Sequence, residues 1–421
     1  MPTYDGPAEG ELAGAMSGTL RLPARVHFGY GSRAQLNEVL SLSGRRVLAI
    51  VDPFLIEAPI FAETVTRLKA DGFEVAVYAD ITPELPIASL DAAASFAREY
   101  GPEVILAVGG GSALDAAKAV SLLVTHEGPL SRYYGENLVP GPSLPIVAVP
   151  TTAGTGSEVT PVAVVSDPER EMKVGISSPY LIPAAAIVDP EFTLGAPRTV
   201  TAFSGIDALV HAVESFTAAR LEPSWNAVLP VFTGRNAFSD SMALRAVEHL
   251  GTSLTVAVGE PGNRQAREEV AFASLLAGVS FGATGTHLSH ALQYPIGAYT
   301  KTPHGLGTGL LLPYVLQACL GDPGVVERIA AVGGALGSTA HTADDKARDA
   351  ISAIVAINRA IGVPASLREI GITREQLPQL AELASRSARL IAIAPIPAPP
   401  SALLGILEHA YAGHLTESSG S

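Results

Sequence analysis

Four residues of this chain have the types and spacing to hold a metal ion. Asp207 and His211 stand four apart in Gly205-Ile206-Asp207-Ala208-Leu209-Val210-His211; His290 and His304 follow, the latter in Thr302-Pro303-His304-Gly305. Residues four apart on a helix lie one above the other on the same face, so Asp207 and His211 can grip one ion together. A third ligand from another helix and a fourth from a loop would close the site. Three neutral imidazoles and one carboxylate suit Fe or Zn rather than Ca or Mg. An Asp-x3-His pair alone also fits ordinary polar residues of a long chain. Its setting (Ala208, Leu209, Val210, Ala212, Val213) favours a ligand, because a buried carboxylate needs a partner or a metal.

The stretch Ser204-Gly205-Ile206-Asp207-Ala208-Leu209-Val210-His211-Ala212-Val213-Glu214-Ser215, with His290-Ala291-Leu292-Gln293-Tyr294-Pro295-Ile296-Gly297 and Pro303-His304-Gly305, resembles the metal-site signatures of the iron-containing (group III) alcohol dehydrogenase family. The resemblance runs from about residue 22 to 412. It implies that Asp207, His211, His290 and His304 are metal ligands, with Fe(II) as the ion and Zn(II) as the alternative. It also implies a fold like that of dehydroquinate synthase.

The elements that must position these residues fall into two halves. Val47-Leu48-Ala49-Ile50-Val51, Glu74-Val75-Ala76-Val77-Tyr78, Val104-Ile105-Leu106-Ala107-Val108 and Ile146-Val147-Ala148-Val149 read as strands, with helical patterns at 56–71 and 89–100. Strands alternating with helices predict a doubly wound, mostly parallel sheet whose ligands gather at the carboxyl ends of its strands. The third strand runs into Gly109-Gly110-Gly111-Ser112-Ala113-Leu114-Asp115-Ala116-Ala117-Lys118, a turn that is either a tight corner or a phosphate cradle at a helix N-terminus. Its pattern resembles the family's pyrophosphate turn, which implies cofactor contacts from Gly110, Gly111, Ser112 and Asp115. Asp52 ends the first strand. It is either the start of an Asp-Pro turn or, as the resemblance implies, the acid that binds the ribose hydroxyls of NAD and repels the 2′-phosphate of NADP. The loop Pro150-Thr151-Thr152-Ala153-Gly154-Thr155-Gly156-Ser157 is similar to the family's second cofactor loop, which implicates Thr151, Thr152 and Thr155. Lys173 is either an inconsequential surface lysine or the family's cofactor lysine. Thr193 and Leu194 follow a last strand, Ile187-Val188, and face the cofactor in the same reading.

Beyond residue 197 no further strand is expected. Helical spacing recurs at 202–217, 239–250, 268–280, 287–292, 307–319, 325–334, 343–361, 374–388 and 401–412. The patterns give a flexible tail at 1–20, an α/β domain at 21–197 and an all-helical domain at 198–421; the resemblance implies that the first domain binds NAD and the second is the metal-binding, catalytic one. The cleft between two such domains is where a site is expected. Residues 218–239 form a long unhelical insertion, and loops of that length are often functional. Tyr294 stands where many family members carry a proton-relaying His. With the insertion, it makes the chain look more like the branch that includes hydroxyacid–oxoacid transhydrogenases. His287 is either a polar neighbour on the ligand helix or the replacement relay, so His287 and Tyr294 are the candidate catalytic residues.

Composition narrows the function classes. The 421 residues carry 41 acids against 27 Lys and Arg, a net charge of −14, which argues against a nucleic-acid partner. Hydrophobic residues make up 48% and charged ones 16%, as in a well-buried globular protein. No apolar run is long enough to span a bilayer, and the acidic start (Asp5, Glu9, Glu11) shows no leader pattern, so a cytoplasmic protein is expected. The single cysteine, Cys319, excludes an internal disulfide and reads as a core residue. A homodimer is expected on symmetry grounds.

The expected function is therefore a metal-dependent, NAD-dependent alcohol dehydrogenase or aldehyde or ketone reductase acting on a small molecule. A hydroxyacid–oxoacid transhydrogenase is the alternative. A maleylacetate reductase is disfavoured because those relatives generally lack the full ligand set. A dehydroquinate synthase-like lyase needs a lysine-rich phosphate pocket, and between 205 and 304 the chain has only Lys301. Arg235 and Lys301 remain candidates to hold a carboxylate.

Overall fold

The computed structural model describes residues 17–170, 173–222 and 224–415. Residues 1–16 of the expected tail lie outside the described residues. Its described end is held in place: Arg220 donates to Ser17 Oγ at 2.9 Å.

The first half alternates strands and helices: β1 (Arg25–Phe28), α1 (Leu36–Ser41), β2 (Arg46–Val51), α2 (Pro59–Ala70), β3 (Glu74–Tyr78), α3 (Ile87–Tyr100), β4 (Val104–Gly109), α4 (Gly111–Thr125), β5 (Gly135–Glu136), β6 (Ile146–Pro150), β7 (Val162–Val165), β8 (Val174–Ser177) and β9 (Ala185–Val188). Among the described residues, six strands form a parallel sheet in the order β1-β9-β6-β4-β2-β3. Alternate side chains of β2 feed opposite faces, as a strand dictates. Leu48 and Ile50 pack with α3 and α4; Val47, Ala49 and Val51 pack with α1 and α2. The chain reverses its direction of travel across the sheet between β2 and β4. In open α/β sheets that crevice, at the carboxyl ends of the strands, is the ligand position.

Sequence reasoning missed β1 and the small sheet β5-β8-β7. Their strands are only two to four residues long, too short for a periodic signal. The small sheet has a positional role, since Asp115 of α4 accepts the Val164 N–H of β7 at 2.9 Å.

The second half is helical: α5 (Arg198–Thr217), α6 (Ala237–Gly259), α7 (Arg264–Thr284), α8 (Leu288–Thr300), α9 (His304–Cys319), α10 (Pro323–Ala335), α11 (Ala343–Ile361), α12 (Leu377–Ser385), α13 (Ala388–Ala392) and α14 (Pro400–Ala412). As expected, Cys319 is buried in this core. Residues 201 to 217 of α5 are almost wholly buried, because α6, α7 and α9 surround it. A helix apolar all round has no solvent face to offer. Its polar residues Asp207, His211 and Glu214, at i, i+4 and i+7, therefore need partners inside the protein.

Glycines set the distance between α5 and α9. A Cβ at Gly305 would lie 1.9 Å from the Phe203 carbonyl oxygen and 2.9 Å from Asp207 Cβ, and one at Gly309 would lie 2.6 Å from Ile206. This small-residue seam brings His304 beside Asp207. Gly305→Ala should cost about 1–3 kcal/mol through overpacking, lower the urea midpoint and reduce metal content. An unchanged midpoint and metal content would show that the seam does not control the site.

Candidate active site

The four candidate ligands converge on one cleft. Asp207 is 4% exposed on α5, and its Oδ1 lies 3.8 Å from His290 Nε2 and 3.9 Å from His304 Nε2. Its Oδ2 lies 3.9 Å from His211 Nε2. Ligand atoms of Asp207, His290 and His304 all fall within 4.8 Å of one another. His211 stands at the edge of this trio, its ring stacked on Phe281 at 4.2 Å and on His290 at 4.8 Å. His211 Nδ1 meets the Gly154 carbonyl at 3.1 Å, which ties the loop after β6 to the metal side. That loop comes close because residue 154 lacks a side chain: a Cβ there would lie 2.5 Å from the Ser204 carbonyl oxygen.

The electrostatics suit ligation. Burial pushes His211 down to about 4, outweighing the Asp207 charge that opposes it. Burial in the cleft brings His304 to about 4 as well, although its side chain keeps 35% of its surface exposed. Both rings are neutral at pH 7, the form that binds metal. Burial works against ionisation of Asp207, but His211, His304 and His290, with the Thr308 hydroxyl at 2.8 Å, hold its carboxyl below the ordinary range.

Glu214 completes the arrangement, and sequence reasoning gave it no role. Wholly buried, it accepts His290 Nδ1–H at 2.7 Å and the backbone N–H groups of His287 at 2.8 Å and Ser289 at 2.5 Å. Burial raises its pKa, but His287, His290 and these bonds together hold it well below the usual carboxylate range. The carboxylate thus sits at the positive N-terminal end of α8 and orients the His290 ring so that Nε2 faces Asp207. Its signal was available: a carboxylate on the same helix face as Asp207 and His211, in an apolar run.

His287 is placed differently from its expected relay role. It is fully buried outside the cleft, with Nε2 at 2.9 Å from Thr217 Oγ1 and Nδ1 accepting from Leu288 N–H at 2.7 Å. Both nitrogens serve internal partners, so the ring braces α8 and does not line the cleft. Tyr294 does line the cleft, stacked with His304 at 6.2 Å, and burial raises its pKa above the ordinary phenol value.

On the sheet side the cleft is lined by Gly111, Ser112, Asp115, Thr155 and Lys173. A Cβ at Gly111 would lie 2.7 Å from Thr155 Cγ2, so the two loops leave room only for glycine. Gly110 precedes α4 as its N-terminal cap. Asp115 is occupied by the Ser157 hydroxyl at 2.6 Å as well as by Val164 N–H. Lys118 is fully buried and donates to the Thr160 and Val162 carbonyls, which makes it a strut under the loop. Lys173 pairs with Glu84 at 2.5 Å. Glu84 and Leu85 both have positive φ (68° and 53°), a costly backbone for residues other than glycine.

Thr151, Thr152 and Thr193 border a smaller recess shared with Arg267, and the Thr193 hydroxyl is spent on the Pro190 carbonyl. Asp52 caps the turn after β2, accepting from Phe54 N–H at 3.2 Å, and its Cβ lies 3.0 Å from where a Cβ on Gly109 would stand. Both readings of Asp52 thus share one place, because the turn sits at the crevice. Arg235 lies 3.9 Å from the Asp240 carboxylate and does not line the cleft; Lys301 lines a side recess next to Lys173 and His304.

The sequence model for iron-containing alcohol dehydrogenase matches residues 23–190, and that for the C-terminal part of the Fe-containing alcohol dehydrogenase family matches 201–411. Long-chain-alcohol dehydrogenase 1 of Geobacillus thermodenitrificans is 34% identical over 408 residues, covering 94% of this chain and 97% of that protein. Sulfoacetaldehyde reductase of Bilophila wadsworthia is 33% identical, covering 88% and 93%. The crystal structure of a 1,3-propanediol oxidoreductase superposes with a TM-score of 0.87 at 31% identity, covering 94% of this chain and all of that one. A sulfoacetaldehyde reductase from Bifidobacterium kashiwanohense, solved with NAD+, has a TM-score of 0.79 at 27% identity, covering 94% and 99%.

Proposed function

Since this chain belongs to the iron-containing alcohol dehydrogenase family, we propose that Asp207, His211, His290 and His304 hold its catalytic metal and that the cleft they share with Gly111, Ser112 and Thr155, together with the turn at Gly110, takes NAD(H). The protein is an NAD-linked alcohol dehydrogenase or aldehyde reductase. The observation that carries the site assignment is the buried Nε2 of His290, which has no hydrogen-bond partner among the described residues and faces Asp207. A buried imidazole nitrogen left bare beside a carboxylate fits a metal ligand. The set of one carboxylate and three imidazoles suits iron or zinc, and we favour Fe(II).

Held by these residues, a divalent metal would supply Lewis acidity and a nicotinamide would supply hydride chemistry. The chain's own residues do the rest. Glu214 fixes the tautomer and direction of His290. Tyr294 donates a hydrogen bond to the substrate oxygen. Reduction consumes one proton (RCHO + NADH + H+ gives RCH2OH + NAD+). With His287 enclosed, that proton comes from water admitted through the open side of the cleft beside His304.

The supporting division of labour is an NAD-binding unit at 21–197 and a catalytic unit at 198–421. Asp52, Lys173 and the Thr151, Thr152 and Thr193 recess complete the nucleotide contacts in this reading, with Asp115 tying the loops beneath. Relatives are named for lactaldehyde, sulfoacetaldehyde and 1,3-propanediol, so we propose a small aldehyde or alcohol as substrate. No described helix is long and apolar enough to cross a membrane; we propose a cytoplasmic homodimer. The transhydrogenase alternative rests on the insertion at 218–239 and on Tyr294-Pro295.

Metal analysis of anaerobically prepared protein, with NADH oxidation assayed with no metal, Fe(II) or Zn(II), tests the proposal. About one ion per chain and chelator-sensitive activity are expected. Activity in metal-free protein would overturn the ligand assignment. Hydride exchange between a hydroxyacid and an oxoacid without net NADH oxidation would favour the transhydrogenase. Asp52→Ser should raise kcat/KM with NADPH roughly tenfold by removing a charge facing the 2′-phosphate. An unchanged NADH-to-NADPH ratio would leave Asp52 as a turn cap only.

A further inference from the structure

The charges lining the cleft are matched, with one exception among the described residues. Lys173 is paired with Glu84, Asp115 is held by Ser157 and Val164, and Asp207 faces the imidazoles. Arg389, on α13, lines the same cleft and makes neither an ion pair nor a hydrogen bond to a described residue. Its guanidinium lies over the Phe232 ring, 4.4 Å from the centroid, and its Nη1 is 3.5 Å from where a Cβ on Gly285 would stand.

A ring face can hold a guanidinium by cation–π attraction but uses none of its N–H donors. Those donors are directional and suited to gripping a carboxylate through two parallel bonds. The ring also limits the rotamers of the side chain, so less freedom is lost when an anion binds. Arg389 shares that cavity with Tyr294 and with Asp207, His290 and His304, so a molecule held at the trio lies in the same enclosed space as the guanidinium.

We propose that Arg389 is a specificity-determining residue that binds a carboxylate at the far end of the substrate, so that the preferred substrates are small carboxylate-bearing aldehydes and the corresponding hydroxyacids. This rests on the dehydrogenase reading above. Phe232 positions the guanidinium, and Lys301, in the side recess, is the rival anion site.

The test uses the full-length, metal-loaded protein with NADH and two aldehydes of equal length, succinic semialdehyde and butanal. For the wild type, kcat/KM for succinic semialdehyde should exceed that for butanal by roughly 100-fold, the range of charge-assisted hydrogen bonds. Arg389→Met should collapse that ratio to near one through KM, Arg389→Lys should restore about tenfold of it, and Lys301→Met should leave the ratio high. The wild-type ratio needs no variant, so it decides the matter even if Arg389→Met folds poorly. Reduction of butanal with no preference for succinic semialdehyde would overturn the Arg389 assignment alone. A ratio that follows Lys301, or one untouched by Arg389→Met, would do the same. Reduction of neither aldehyde would overturn it together with the dehydrogenase reading.

Discussion

Asp207→Ala is expected to lower kcat/KM for NADH-linked aldehyde reduction on the order of a thousandfold or more, since Lewis-acid stabilisation of the transition state amounts to several kcal/mol. Asp207 is the one carboxylate of the group, and the three imidazoles lie 3.8 to 3.9 Å from its oxygens. Without it, three neutral rings would have to hold a divalent cation with no compensating charge. Metal content should fall with activity. Binding of NADH, followed by its fluorescence, should stay within a few-fold of wild type, because the Gly110–Gly111 turn and the Thr155 loop do not use Asp207. A variant that keeps its metal and turns over normally would remove Asp207 from the ligand set. Loss of nucleotide binding together with metal would instead point to a collapsed cleft.

Glu214→Ala should be the more damaging change for the fold. It strands three buried donors: His290 Nδ1–H and the N–H groups of His287 and Ser289. Removing one partner of such a buried arrangement costs about 3–5 kcal/mol. Metal affinity should fall about 10–100-fold as the His290 ring loses its orientation. Glu214→Gln keeps the shape and one acceptor oxygen but turns an NH2 towards a backbone N–H, so it should recover only part of the stability and little of the metal affinity. Urea titration and competition with a chelator measure the two effects separately. Equal metal affinity in wild type and Glu214→Gln would show that the carboxylate serves the N-terminus of α8 and not the metal.

The strands β2, β3, β4 and β6, of five or six residues, and most of the helices were legible because apolar runs of that length and 3.6-residue spacing are local properties; β9 was read only from Ile187-Val188. The convergence of Asp207 with His211 was legible for the same reason. Beyond such periods, His290 and His304 were reached only through their resemblance to family signatures, and other polar residues gave no sign of their partners. His287 sits three residues before a ligand, and only packing shows that its ring turns away towards Thr217. Lys118 belongs to a motif that suggests phosphate, yet the carbonyls of Thr160 and Val162 claim it. Arg389 stands in no motif, and a cleft contact made by a short helix far along the chain leaves no trace in spacing.

By itself, the sequence determined which chemistry was possible: one carboxylate and three imidazoles for a metal, glycines where a backbone must come close, an acid at the end of a strand. Only the tertiary structure decided which of the polar groups meet. The close α5–α9 seam at Gly305 and Gly309 brings two of the ligands together, and Glu214 was chosen to aim a third. The physical reason is that periodicity sets the face of a residue, whereas burial forces each polar group to find a partner, and that partner is fixed by packing between elements distant in the chain.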